Sequence, residues 1–140
     1  MATINTYLHF NGNCEAAFNY YKAVLGGEFH GIMKFRDAPQ EGHLPENEGE
    51  RILHVALPIG TTAQLMGSDR PSSFGPVNVG DNFYVSLSVD SESEADRVFN
   101  ALSTGGQALM PMHKSFWGAY FGMLKDKFQI QWMINYDYSN

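Results

Sequence analysis

The same short unit occurs twice in this chain, and that repeat constrains the fold more than any other feature. A run with strand character over 3–10 leads into an amphipathic helix that ends at Leu25-Gly26-Gly27. A second such run over 83–89 leads into a second helix, ending at Thr104-Gly105-Gly106. The two Gly-Gly pairs lie 79 positions apart, and at that offset Glu15 falls on Glu94, Ala16 on Ala95 and Tyr20 on Phe99. A repeat of half-chain length predicts two copies of one supersecondary unit, with a ligand site where they meet.

Each copy can be followed residue by residue. Thr3 to Phe10 is rich in β-branched and aromatic residues and reads as a strand. Asn13 stands where it can cap the helix that follows. Ala16, Ala17, Tyr20, Tyr21, Val24 and Leu25 recur at helical spacing and form its expected buried stripe. Gly26 stops the helix. A strand over 29–35 follows, then a stretch over 36–50 with Pro39, Gly42, Pro45 and Gly49, expected to be a long mobile loop, either a binding lid or plain surface. Strands at 52–59 and 62–66 flank a turn at Gly60, and 69–81 reads as another loop. In the second copy, Ser91 and Glu94 have the spacing of a capping box. Ala95, Val98, Phe99 and Leu102 make the stripe, and strands are expected over 107–110, 116–124 and 128–136. Each half reads strand, helix, three strands. The expected class is α+β, with two four-stranded sheets that each carry a helix on one face, because that packing buries both stripes.

Composition narrows the partners. With 140 residues, 44% hydrophobic and 17% charged, the chain suits one domain over 1–140, with a first module over 1–70 and a second over 81–138. It holds no apolar run long enough to span a membrane, and Met1-Ala2-Thr3-Ile4-Asn5 lacks the basic-then-apolar order of a secretion signal. Cys14, the one cysteine, excludes an internal disulfide and a multi-cysteine metal site, so a cytoplasmic location is expected. A formal charge of −6 argues against nucleic acid, whose phosphates need a basic surface.

Residues 7–28, Tyr-Leu-His-Phe-Asn-Gly-Asn-Cys-Glu-Ala-Ala-Phe-Asn-Tyr-Tyr-Lys-Ala-Val-Leu-Gly-Gly-Glu, resemble the opening of glyoxalase-like proteins. Three later segments extend the likeness: Gln64-Leu65-Met66-Gly67-Ser68-Asp69, the stretch from Ser88 to Arg97, and Phe116-Trp117-Gly118 through Gln131-Trp132-Met133-Ile134-Asn135. In this order they resemble the PhnB-like branch of the glyoxalase, bleomycin resistance protein and dioxygenase (vicinal oxygen chelate) superfamily. The resemblance implies paired βαβββ modules forming a half-open cup, and a homodimer. Members of the branch are often labelled as a demethylubiquinone methyltransferase, but no Gly-rich strand-to-helix loop of the kind that holds a nucleotide-like cofactor is present.

In metal-using relatives, the resemblance implies, two inward side chains from each module hold a divalent ion. Carried over one at a time, those positions fall on Asn5, Gln64, Tyr84 and Gln131. Three neutral amides and a phenol with an ordinary pKa near ~10 are poor donors for a catalytic divalent ion. No metal or other cofactor is therefore expected there, and the same residues suit a neutral hydrogen-bonding pocket.

Two histidines widen the choice. Asn5, Tyr7 and His9 alternate along the first strand and share a face. His54 lies in Ile52-Leu53-His54-Val55-Ala56. His9 and His54 read either as one pocket's catalytic base or relocated metal pair, or as hydrogen-bonded residues of the sheet. His30, His43 and His113 read as strand-end or loop residues. Trp117 or Tyr120 is expected to wall the ligand, with Trp132 in the core. Cys14 lacks a base beside it and is not proposed as a nucleophile. The first reading is a metal-free binder of a small apolar or aromatic molecule through Asn5, His9, His54, Gln64, Tyr84, Trp117, Tyr120 and Gln131. The alternative is a lyase, isomerase or dioxygenase that uses His9 and His54 as base or at a relocated divalent ion. A ligand-free dimeric scaffold is the third.

Overall fold

Strand β1 (Thr6–Phe10) buries Leu8 and Phe10 and leaves Tyr7 and His9 exposed. That alternation gives the strand one face for a core and one open face. The computed structural model describes residues 1–38 and 48–139. Its order is β1, α1 (Cys14–Leu25), β2 (Gly31–Lys34), β3 (Ile52–Ile59), β4 (Ala63–Asp69), β5 (Val85–Ser88), α2 (Glu92–Ser103), β6 (Gln107–Lys114), β7 (Ala119–Lys125) and β8 (Gln131–Asp137). Short 3-10 turns occupy Phe35–Asp37 and Ser72–Phe74. The chain divides into two compact units, Met1–Asn78 and Val79–Asn140. Each is strand, helix, three strands, the α+β arrangement the repeat predicted.

In the first unit the sheet order is β1-β4-β3-β2. The β1–β4 pair is parallel, from Thr6 opposite Leu65 to Phe10 opposite Asp69, and the other pairs are antiparallel. Helix α1 packs on β3 and β4. Its buried face is Cys14, Ala17, Phe18, Tyr21 and Val24, whereas Ala16 is exposed and Tyr20 and Leu25 are half-buried. The expected stripe was thus rotated by part of a turn. The cause lies across the interface at Gly67. A Cβ there would come within 2.6 Å of Phe18 Cε1, so the missing side chain makes the slot that Phe18 fills. The helix start also departs from expectation. Asn13 makes no side-chain cap. Instead the buried Asp69 carboxylate accepts from the Gly12 and Cys14 N–H groups through Oδ1, at 2.9 and 3.0 Å. Its Oδ2 accepts from Ile52 N–H at 2.8 Å.

In the second unit the order is β5-β8-β7-β6, again with one parallel pair, β5–β8. Ala95, Val98, Phe99 and Leu102 are the buried residues of α2, as the spacing predicted. Ser91 Oγ accepts from Glu94 N–H at 3.1 Å. The reciprocal half of the box is replaced, because the Glu94 carboxylate accepts from Arg97 Nε at 3.0 Å. Asp126, also buried, accepts from Phe128 and Ile130 N–H and from Trp132 Nε1–H, at 2.8, 3.0 and 2.9 Å. That turn explains why β8 starts at Gln131 and not at 128. Likewise β7 starts at Ala119 because the chain turns at Gly118, where φ is +88°. Pro111 is tolerated in β6 because that strand lies at the edge of the sheet.

Of the 36–50 stretch, 39–47, with Pro39, Gly42, His43 and Pro45, lie outside the described residues. Glu48 is buried and accepts from both the N–H and the hydroxyl of Ser72, each at 3.0 Å.

Candidate functional site

The open face of the first sheet gathers a polar cluster. The strand register sets His9 opposite Ser68 and Met33 opposite His54. Ser68 Oγ lies 3.3 Å from His9 Nδ1, and Tyr7 Oη lies 3.0 Å from His54 Nδ1. The Tyr7 ring stands between the two imidazoles, 5.3 Å from His9 and 5.6 Å from His54. Tyr7 and His9 stand on the exposed face of β1, and Tyr7 brings His54 into the neighbourhood of His9. Each imidazole uses Nδ1 against a hydroxyl, which leaves Nε2 as the nitrogen to offer a ligand. Among the described residues no group of three His, Cys, Asp or Glu side chains could hold a metal ion.

Beside this cluster lies a cavity of about 390 Å³, lined by His9, Ser68, Phe35, Leu53, Pro71 and Phe74, with Asp69 and Arg70 on its wall. Most of that lining is apolar, with a few polar groups converging on it, the usual make-up of a small-molecule site. The sequence reading missed Ser68, Arg70, Phe35, Leu53 and Phe74. Ser68 was legible, since Gln64, Met66 and Ser68 alternate along β4 and share a face. Phe35, which is buried, and Phe74, which is 75% exposed, sit in single 3-10 turns, where no periodicity marks which side chain borders a cavity.

Two of the four positions carried over from metal-using proteins, Asn5 and Gln131, have side chains bonded to the backbone. Asn5 precedes β1, and its Oδ1 accepts from Gln64 N–H at 2.9 Å. In the second unit Gln131 is 6% exposed, and its Nε2 donates to the Phe83 carbonyl at 2.9 Å. In each unit an amide side chain thus closes the start of a parallel strand pair. Tyr84 precedes β5 and is half-buried, as is Gln64. The Asn5 and Gln131 amides are neutral and already committed to the backbone, and such donors do not fit a divalent ion.

The aromatic residues of the second unit divide between its faces. Trp117 is 56% exposed, and its ring packs 5.6 Å from Phe121 and 5.1 Å from Phe116. His113 adds a ring 6.2 Å from Phe121, its Nδ1 paired with the Pro111 carbonyl. Tyr120 does not join this wall. Its hydroxyl donates to Asp96 of α2 at 2.7 Å, so it lies on the helix side of the sheet. That bond pushes the Tyr120 phenol up to about 12. Its strand neighbour Phe121 takes the place expected of it. Trp132 is buried as expected. A row of methionines, Met110, Met123 and Met133, crosses the same open face by register. His30 is exposed at a strand end. Burial, reinforced by Asp69 and Glu15, raises the Cys14 thiol far above its ordinary range, which makes it inert.

A family model described as 3-demethylubiquinone-9 3-methyltransferase matches residues 2–135. Protein PA1353 of Pseudomonas aeruginosa is similar at 39% identity and a TM-score of 0.87, covering 98% of both chains. Protein YjdN of Escherichia coli K12 is 29% identical, over 94% of this chain and 93% of its own. A putative 3-demethylubiquinone-9 3-methyltransferase, the PhnB protein of Bacillus cereus, is 26% identical with a TM-score of 0.73, over 96% of this chain and 99% of its own. More distant glyoxalase/bleomycin resistance proteins share the fold. A nucleotide-like methyl donor does not fit the β1–α1 turn, because Asp69 already occupies the N–H groups of Gly12 and Cys14.

Proposed function

The chain belongs to the PhnB-like family of the glyoxalase, bleomycin resistance and dioxygenase superfamily, and within that family we propose that it binds a small apolar or aromatic molecule without a metal. The observation that carries this reading is the cavity beside His9, which Phe35, Leu53, Pro71 and Phe74 line together with an imidazole, a serine hydroxyl, Asp69 and Arg70. The rings supply burial, and His9 with Ser68 orients a polar group of the ligand. The backbone duties of Asn5 and Gln131 support the metal-free half of the proposal. A homodimer and a cytoplasmic location belong to the same proposal. Among the described residues no helix is long and apolar enough to cross a membrane.

A second reading is favoured by the paired hydroxyls and imidazoles. Ser68 with His9, and Tyr7 with His54, are arranged to take a proton from a bound molecule and pass it on, which suits lyase or isomerase chemistry.

Metal analysis of protein purified without chelator, followed by a thermal-shift screen of aromatic and aliphatic compounds, tests both. The binder reading expects no stoichiometric divalent ion, and stabilisation by apolar ligands that His9→Ala and Phe74→Ala weaken. One tightly held ion per chain, lost in His9→Ala or His54→Ala, contradicts it. Turnover of a stabilising ligand that disappears in His9→Ala would select the enzyme. Light scattering at a mass near 15.6 kDa would reject the dimer.

A further inference from the structure

The cavity beside His9 has a cationic neighbour. A second hollow of about 390 Å³ is lined by Asn11, Arg51, Arg70 and Ser72. Arg70 lines both, and the short turn Ser72–Phe74 offers Phe74 to the first and Ser72 to the second. Resting on the binder reading above, we propose that the ligand is amphipathic, with an apolar body against Phe35, Leu53 and Phe74 and a carboxylate head held by Arg70.

The charges around the second hollow support this assignment. Glu48 is already engaged, accepting from Ser72 twice and lying 3.4 Å from Arg51 Nη1. Arg51 also donates to the Arg70 carbonyl at 3.1 Å. The Asp69 carboxylate accepts from three backbone N–H groups. Arg70 donates to the neutral Pro76 carbonyl at 3.1 Å, and among the described residues no carboxylate lies within ion-pair distance of it. The side-chain oxygen of Asn11 accepts from Val77 N–H, which leaves its amide nitrogen as a donor toward the hollow. Arg51 is thus balanced by Glu48, and Asp69, which lines the first cavity, is held by backbone N–H groups, so Arg70 is the guanidinium without an acid partner among the described residues. Arginine's planar fork matches a carboxylate with two parallel hydrogen bonds, a geometry a lysine does not offer. On a chain with a net charge of −6, such a patch distinguishes an anionic ligand from its neutral analogue.

The test is a matched pair of probes, 4-phenylbutyrate and 4-phenylbutanol, titrated into the full chain by calorimetry and by amide-resolved NMR. The expected result is that the carboxylate binds about tenfold tighter than the alcohol, that added salt narrows the gap, and that both shift the amides of His9, Phe35 and Phe74. Arg70→Gln should remove the preference by weakening the carboxylate far more than the alcohol. Arg70→Lys, which keeps the charge, should retain part of it. If the alcohol binds wild type as tightly as the carboxylate, the anionic head is wrong and the apolar reading survives. If neither probe moves those amides, both fall. A full preference retained in Arg70→Gln would show that Arg70 does not hold the head and would overturn the proposal.

Discussion

The two units share an element order but use a buried aspartate in different ways. Asp69 gathers distant parts of the chain, because its partners Gly12, Cys14 and Ile52 belong to the β1–α1 turn, the start of α1 and the start of β3. Asp126 gathers its own turn, accepting from the N–H groups of Phe128 and Ile130 within four residues and from Trp132 two further on. The helix starts follow the same division. Helix α1 is capped by a residue from β4, and α2 is capped by Ser91 at its own N-terminus. The first unit therefore depends on long-range closure, and the second is assembled from local signals. The cavity beside His9 sits in the unit held together at a distance, with Ser68, Asp69 and Arg70 in its lining.

The sharpest way to break this comparison is at the two aspartates. Asp69→Ala strips the acceptor from three N–H groups, two of them deeply buried, and should cost about 3–5 kcal/mol of unfolding free energy in a denaturant titration. Asp126→Ala should cost less, about 2 kcal/mol, because its backbone partners are only part-buried and lie close in the chain. Equal losses would remove the distinction between distant and local closure.

Next come the glycines under the helices. An added Cβ at Gly67 meets the Phe18 ring at 2.6 Å and the Leu8 carbonyl oxygen at 3.0 Å. At Gly122 the nearest atom is Met112 Sδ of a flexible side chain, also at 2.6 Å, with the Phe99 ring at 3.0 Å and the Met110 carbonyl oxygen at 3.1 Å. Gly67→Ala should destabilise by about 1–3 kcal/mol, and Gly122→Ala by less. A smaller effect follows at the caps, where Ser91→Ala should cost about 1 kcal/mol and Asn13→Ala almost nothing. Thermal melts of the two variants read the contrast directly.

The smallest effect is on pH dependence. Hydrogen bonding to Asp96 raises the Tyr120 phenol to about 12. The bond contributes below the unfolded-chain value near ~10, and its contribution is lost as the pH rises from there to about 12. An absorbance titration of wild type against Tyr120→Phe should show one late-ionising phenol missing from the variant.

What the sequence made legible follows the same line. The second unit's stripe and its Ser91 cap were readable because each signal lies within a few residues of its effect. In α1, Ala16-Ala17-Phe18 and Tyr20-Tyr21 offer two overlapping apolar faces, and the choice between them is made by Gly67, a glycine far along the chain. Asp69 reads as the first residue of a loop, since nothing near it announces partners at Gly12 and Ile52. At the site, alternation brought Tyr7 and His9 to one face. Tyr120 went to the other side because the turn at Gly118 sets where β7 begins. The amides at Asn5 and Gln131 were recognised as poor metal donors by chemistry alone, but their attachment to Gln64 N–H and the Phe83 carbonyl is visible only in three dimensions.

The central claim is that the chain keeps its family's two-module fold while its ligand binds in the first unit without a metal. Amide-resolved NMR of metal-free protein, titrated with 4-phenylbutyrate, tests it most directly. The account predicts shifts concentrated at His9, Phe35, Ser68, Arg70 and Phe74. Shifts centred instead on Met110, Phe121 and Met133, or binding that appears only when a divalent ion is added and vanishes in Gln64→Ala and Gln131→Ala, would contradict it.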